Sequence, residues 1–383
     1  MKTISQKHGV FLSAPPPADK TFIIIVGIVA LFGSLSVFSA GTAYAEFRYG
    51  DAFFFVKRQT VWLILGFLTM IVASRISPDV YRKNAPRLYV ITLILLLTVL
   101  AVGFVGNGAK RWISIGPITI QPSEICKTTM VMMLAWYFEK NEERALNYRD
   151  GRKSFIYGTA IPCLLMAVPI MLVMLQKHLS CIIILGLIGL SVILVSGIKT
   201  KYLTYFAAVG VLFVTFIAFF TDYTKERITV WQNPEAYKLT GGWQTLQGLM
   251  AIGSGGIFGV GYGNSLLKHS YVSEPANDMI FAILCEELGF IGALFTLFLF
   301  ALLVIRGYKL ALRSEGVFER LVIFGTVTKT AIQVLLNVAV VTNTIPNTGI
   351  SLPFFSYGGS SLIMLFFEAG MILSFSRYSK IAK

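Results

Sequence analysis

The sequence predicts an all-α, polytopic membrane protein with about ten transmembrane helices and one large extracytoplasmic loop that carries a re-entrant segment. Three observations predict it. Of 383 residues, 55% are hydrophobic and only 14% charged, against about 25% charged in soluble domains. Apolar runs of about 18 to 20 residues recur, long enough to cross the hydrocarbon of a bilayer. Lys and Arg also favour alternate connecting segments, 21 on one side against 10 on the other.

In chain order the spans are 21–39, 60–74, 88–105, 118–138, 156–175, 179–197, 203–220, 279–305, 318–342 and 354–376. The second is short, with room to start earlier, at Phe53. The sixth and seventh are joined only by "SGIKTKY". The richer side in Lys and Arg is cytoplasmic, which places both termini there. Beyond those connecting segments and span ends, only Lys127 and Lys329 remain, both inside apolar spans. The net charge of +14 mostly records this topology, and it suits anionic lipids. No basic patch is interleaved with aromatics, which argues against nucleic acid as a partner.

The first run is too long for a cleavable signal, and "SAPPPADK" before it reads as a cytosolic tail. The domain plan is a cytoplasmic tail (1–20), one transmembrane domain (21–378) and a short cytoplasmic end (379–383). Cys126, Cys163, Cys181 and Cys285 lie in or beside spans as packing residues. His8, His178 and His269 are scattered, so no zinc-ligand spacing exists.

Residues 221–278 form the one long outer loop, and long ordered loops are where function concentrates. Its middle, "LQGLMAIGSGGIFGVGYG", is apolar but too broken by glycine for a spanning helix, and reads as re-entrant or interfacial. "GVGYGNS" has some glycine spacing of a dinucleotide fingerprint but lies among membrane helices, not in a βαβ unit. Close backbone packing, or backbone N–H groups facing a pyrophosphate, are the two readings that remain.

Ionisable residues inside spans are costly and mark candidate sites. "QPSEICK" puts Glu124 and Lys127 three apart on one helical face, where they can pair. That pair serves either the reaction or the locking of helices. Lys329 needs a partner or a water-filled cavity, and Glu368 lies in the last span. "NDMIFAILCEELG" puts Asp278 at the outer end of the eighth span, with Glu286 and Glu287 deeper as supporting acids of a cavity opening outward. In "NGAKRWISIGPITIQPSE", Lys110 and Arg111 stand outside against the charge trend. They can bind a phosphate, or with Trp112 they can anchor the interface. "PNTGISLPFFSYGGSSL" holds helix breakers between two apolar runs. It reads as an outer loop folded against the site, turned by Pro346 and Pro353. Ser356, Gly358, Gly359 and Ser360 would then touch substrate; alternatively Ser360 or Ser361 caps the last helix.

Five segments, "NGAKRWI", "QPSE" with Lys127 after it, "AIGSGGIFGVGYG", "DMIFAILCEELGF" and "LPFFSYGGSSL", occur in an order that resembles the SEDS family (shape, elongation, division and sporulation) from about residue 20 to 378. "WQNPEAYKLTGGWQTLQGLMAIGSGGIFG" and "ILSFSRY" resemble its division-type branch, with the rod-elongation type as runner-up. The resemblance implies a peptidoglycan glycosyltransferase that polymerises lipid II at the outer face of the bacterial inner membrane, inverting the donor carbon and releasing undecaprenyl pyrophosphate. It implies Asp278 as the catalytic acid-base residue, in "SEPAND". Ala276 and Asn277 replace the family's usual His and Thr, which leaves the local hydrogen bonding open. Glu124 and Lys127 match the family's intramembrane pair, and Lys110 and Arg111 its basic pair. A divalent cation (Mg or Mn) and no organic cofactor are implied. So are lipid II, the nascent glycan strand, a class B penicillin-binding transpeptidase and divisome membrane proteins as partners, at the division septum. A lipid II flippase, with its key ions at the midplane, and a non-catalytic scaffold are the alternatives from other classes.

Overall fold

A computed structural model describes residues 17–106, 109–116, 118–146, 151–198 and 222–377, save 270, 271 and 273, with 204, 208 and 210 as isolated positions. The predicted span at 203–220 therefore lies outside the described residues.

Helix α1 (Lys20–Tyr49) starts where the Asp19 carboxylate accepts the Phe22 N–H at 2.7 Å, and ends at left-handed Gly50. Helix α2 (Phe54–Arg75) does begin early, one residue past Phe53. Helix α3 (Pro78–Val102) starts about ten residues before its predicted span. Hydropathy marks only the part that crosses lipid, while Pro78 and Asp79 favour the first turn and start the helix in the polar zone. Strands β1 (Phe104–Gly106), β2 (Ala109–Ile115) and β3 (Ile118–Ile120) then form an antiparallel meander. The expectation of a spanning helix from 118 is corrected here. Residues Ile118–Ile120 pair with β2, and Pro122 opens helix α4 (Pro122–Ala145).

Helix α5 (Gly151–Leu175) includes a π-helical turn at Ile156–Ala160. Helix α6 (Leu179–Val195) follows, then the short helices α7 (Asp222–Gln232) and α8 (Trp243–Gly255). Helices α9 (Ile280–Arg313), α10 (Val317–Val341) and α11 (Gly359–Arg377) complete the bundle. Among the described residues seven helices are long and apolar enough to cross a membrane: α1, α2, α3, α5, α9, α10 and α11. Helix α4 is more polar, yet most of it is buried against α3, α6 and α10, so its polar side chains are shielded from lipid. The backbone N–H of Asp19 donates to Ser376 Oγ at 3.4 Å, so both ends of the bundle lie on one side. Arg306 also pairs with Asp19 there, and Arg82 pairs with Asp79, Glu139 and Glu319.

The glycine-rich segment after α8 has a packing role. Helix α9 kinks at Gly289 (φ 67°, ψ −165°) and loses backbone hydrogen bonds there. The segment supplies the replacements: Val260 and Gly261 N–H donate to the carbonyls of Glu286 and Glu287, both at 3.0 Å. Phe290 and Ile291 N–H donate to Gly256 and Ile257 at 2.9 and 3.2 Å. Irregular backbone at membrane depth is tolerated where protein satisfies it. A Cβ on Gly259 (φ 81°) would stand 2.2 Å from the Glu287 carbonyl oxygen. Gly259→Ala is therefore expected to cost about 2 kcal/mol or more, from strained φ and lost close approach. Thermal unfolding in detergent checks this; an unchanged midpoint contradicts it.

Candidate active site

The site is built around Asp278, two residues before the start of α9 and half-buried. The segment before it folds as a turn. Asn277 N–H donates to the Glu274 carbonyl at 3.0 Å, and Asn277 Nδ2 donates to Glu274 Oε2 at 2.5 Å. Ala276 is buried. Asn277 thus makes its own local hydrogen bonds at the place where the resembled family has Thr.

The loop between α10 and α11 closes over this turn. Ser356 Oγ donates to the Asn277 carbonyl at 2.8 Å, and Tyr357 N–H to the Ala276 carbonyl at 2.8 Å. Asn337 Nδ2, from α10, donates both to the Asp278 carbonyl at 3.0 Å and to the Ile350 carbonyl at 2.6 Å. Gly349 (φ 69°) lies against the acid itself: a Cβ there would stand 3.1 Å from Asp278 Oδ2. Among the described residues no side chain donates a hydrogen bond to the Asp278 carboxylate.

Two arginines act on the acid through space. Arg111, on β2, donates through Nη2 to the Lys177 carbonyl, and Arg227, on α7, donates through Nη1 to the Asn347 carbonyl. Ser180 Oγ donates to the Thr348 carbonyl, so residues 347–349 are held from two sides and set against Asp278. Burial pushes the Asp278 carboxyl up to about 6, helped by the Glu274 charge, while Arg227 and Arg111 pull it down. A base with a pKa near working pH is suited to general catalysis.

The other predicted residues divide. Lys110 is exposed on β2 beside Arg111. Glu124 and Lys127 do pair, at 2.7 Å, and Ser361 Oγ donates to Glu124 Oε2 at 3.2 Å. Lys329 finds its partner in Glu368, which also accepts from Thr128 Oγ1. Three readings need correction. Ser360 and Ser361 lie inside the first turn of α11, which opens at Gly359, so neither is its cap. Gly359 faces protein: a Cβ there would stand 2.3 Å from the Trp62 ring, so the glycine seats α11 on α2. A Cβ on Gly358 would meet only Ser361 Cβ, at an ordinary 3.7 Å. Glu286 and Glu287 do not line a cavity opening toward Asp278. Glu286 accepts the Leu266 N–H at 3.0 Å and Ser265 Oγ–H, and Glu287 pairs with Lys268 at 3.0 Å and Ser39 at 2.6 Å. Both are buried anchors that tie residues 263–268 to α9 and α1.

Sequence reasoning passed over Arg227, Asn337 and Gly349. Asn337 carried a signal, a lone amide in an apolar span. Arg227 and Gly349 carried none, because their place beside Asp278 is set by other segments.

The family model described as "Cell cycle protein" (FtsW/RodA/SpoVE) matches residues 19–381. The chain belongs to the FtsW/RodA/SpoVE family. Stage V sporulation protein E of Bacillus subtilis is 35% identical over 94% of this chain and 98% of that protein. A probable peptidoglycan glycosyltransferase FtsW of Geobacter metallireducens is 34% identical over 94% and 95%. A solved chain described under "Structural coordination of polymerization and crosslinking by a peptidoglycan synthase complex" superposes with a TM-score of 0.78 at 27% identity, covering 94% of this chain and 98% of that one. The SEDS resemblance and the all-α membrane fold read from the sequence therefore hold. As an FtsW/RodA/SpoVE protein with seven long apolar helices among the described residues, the chain is integral to the membrane.

The site was tested for the divalent cation that this family resemblance implies. Among the described residues no group of three or more His, Cys, Asp or Glu side chains is placed to hold a metal. Among the described residues the carboxylate that acts on Asp278 is Glu274, already engaged by Asn277. This donor set does not fit a resident metal centre, and no step below is routed through one.

Proposed function

We propose that this protein polymerises lipid II into glycan strands at the outer face of the bacterial inner membrane, with Asp278 as general base. The observation that carries the reading is a half-buried carboxyl with its pKa raised to about 6, two residues before the apolar helix α9 and within the electrostatic reach of Arg111 and Arg227. The acceptor sugar hydroxyl is a weak nucleophile and gives its proton to Asp278 as it attacks the donor's anomeric carbon. The carbon–oxygen bond to the lipid pyrophosphate breaks with inversion, and cationic side chains stabilise the departing charge. One carboxylate suffices for this single displacement, so Glu286 and Glu287 can remain anchors.

A relative named as a peptidoglycan glycosyltransferase at 34% identity supports the substrate class. The two-to-one distribution of Lys and Arg supports cytoplasmic termini. For the finer role we propose division-type synthesis at the septum beside a class B penicillin-binding transpeptidase and divisome membrane proteins, with rod elongation as the competing role. Septal against sidewall fluorescence of a tagged chain separates the two. A transporter reading would draw on Glu124, Lys127 and Lys329, but these are engaged in ion pairs within the bundle.

The deciding experiment is the purified protein incubated with labelled lipid II. Glycan strands and one undecaprenyl pyrophosphate per linkage are expected; transbilayer movement of lipid II without polymer would overturn the proposal. Lys110→Gln and Arg111→Gln are each expected to raise the lipid II concentration at half-maximal rate about tenfold, on the scale of a charge-assisted hydrogen bond. Unchanged values in both would return these residues to an interfacial-anchor role.

A further inference from the structure

One amide inside the bundle holds two walls of the candidate site. Asn337, on α10, is fully buried, and its Nδ2 donates to the Asp278 carbonyl at 3.0 Å and to the Ile350 carbonyl at 2.6 Å. Both acceptors are carbonyls, so the amide must turn its nitrogen toward them. Among the described residues its Oδ1 has no hydrogen-bond partner. A buried acceptor without a partner costs stability, and an apolar side chain of that size would fill the space without the cost. The two carbonyls it holds therefore explain the amide, and packing does not. Gly349 precedes Ile350, and a Cβ on it would stand 3.1 Å from Asp278 Oδ2. The turn and the carboxylate are thus in near contact, and the amide spans the peptide units beside both. Two further bonds close the same seam. Ser356 Oγ accepts the Leu352 N–H and donates to the Asn277 carbonyl, both at 2.8 Å, and Tyr357 N–H donates to the Ala276 carbonyl at 2.8 Å.

We propose that Asn337 is a positioning residue for the reaction, whose amide sets the Asp278 carboxylate against the turn at 347–350 without itself touching substrate. This rests on, and deepens, the glycosyltransferase reading. Asn337 is fully buried, so it acts through Asp278 alone. A displacement of about 1 Å caused by a residue away from the chemistry costs about a hundredfold in rate. The lipid is bound by other groups, so the loss falls on kcat and not on half-saturation. Burial is the largest influence raising the Asp278 carboxyl, Glu274 raises it further, and Arg227 and Arg111 lower it. A loosened seam admits water to the carboxyl while all three charges are kept, so proton affinity falls.

The test uses the full chain in detergent. Initial rates with labelled lipid II give kcat, half-saturation and the acid limb of the pH profile, and mass spectrometry gives backbone hydrogen exchange. Asn337→Leu is expected to lower kcat about tenfold or more at unchanged half-saturation, and to move the acid limb to lower pH. Exchange should quicken about tenfold in segments 274–278 and 349–357, whose N–H groups report on the seam, and stay unchanged in α2. General loosening would instead quicken all three and leave the limb in place, which overturns the proposal. Wild-type kcat and an unmoved limb in folded Asn337→Leu overturn it too. So does raised half-saturation at unchanged kcat, which would assign Asn337 to binding. If Asn337→Leu fails to fold, Asn337→Ser decides alone, because its short hydroxyl cannot hold both carbonyls: wild-type kcat and exchange in that variant overturn the proposal. A wild-type protein that makes no glycan rejects polymerisation and leaves exchange to decide. Quickening confined to the two segments then retains Asn337 as the residue that positions Asp278, and unchanged exchange removes it.

Discussion

Asp278→Asn is expected to lower polymerisation of labelled lipid II by about two orders of magnitude or more, the scale of losing a general base. The substitution keeps size and shape but removes the proton acceptor. It leaves the backbone contacts of residue 278 intact, because Asn337 binds the main-chain carbonyl and not the carboxylate. Membrane yield should therefore be unchanged. In the wild-type protein the rate should rise by about tenfold per pH unit below about 6 and level off above it, as the carboxyl with its pKa at about 6 ionises. Glu274→Gln removes the acid that raises this pKa, so its acid limb should move to lower pH while activity at neutral pH is retained. The stability effect has the opposite sign from the activity effect. The folded protein binds the Asp278 proton more tightly than the unfolded chain between about 3.8 and about 6, so ionisation above that window weakens the fold. Asp278→Asn should then melt no lower, and somewhat higher, than wild type at pH 7. Wild-type glycan synthesis by the purified variant would remove Asp278 from the mechanism.

Lys329→Met is expected to destabilise the protein by about 3–5 kcal/mol, seen as loss of monodisperse protein after extraction. Lys329 and Glu368 are 2% exposed each and form an ion pair inside the bundle, with Thr128 as the third member. Removing the cation leaves a carboxylate buried among α4, α10 and α11 with one hydroxyl donor. Replacing both partners, as Lys329→Met with Glu368→Leu, removes the unpaired charge and should recover most of the loss. Size-exclusion profiles and melting curves of the three variants decide it. Strictly additive losses in the double variant would show that the two residues are not coupled.

Much of this was legible in one dimension. Nine of the ten predicted spans correspond to described helices, and seven of those are long and apolar enough to cross a membrane, because lipid imposes length and hydropathy on each such segment separately. Glu124 and Lys127 were readable as a pair because helix geometry alone brings positions three apart together. Asp278 stood out by its place between the long outer loop and a span. The helix starts were less legible: α3 extends through "PDVYRKNAP" and α4 gives up its first residues to a strand, and neither boundary is set by contact with lipid.

What the sequence determined by itself was therefore the membrane class, the positions of most helices and the family, and it singled out the acid to which the chemistry is here assigned. Each of those rests on local composition or on motifs in fixed order. The tertiary structure alone decided which charges meet. It paired Lys329 with Glu368, turned Glu286 and Glu287 toward residues 263–268 and α1, and set Gly359 against Trp62. It also set Gly349 against Asp278, tied Arg227 to the Asn347 carbonyl of the same turn, and brought Arg111 near enough to act on the acid. Electrostatic pairing and backbone close approach depend on distances through space, and nothing along the chain encodes the separation of residues that only folding makes neighbours.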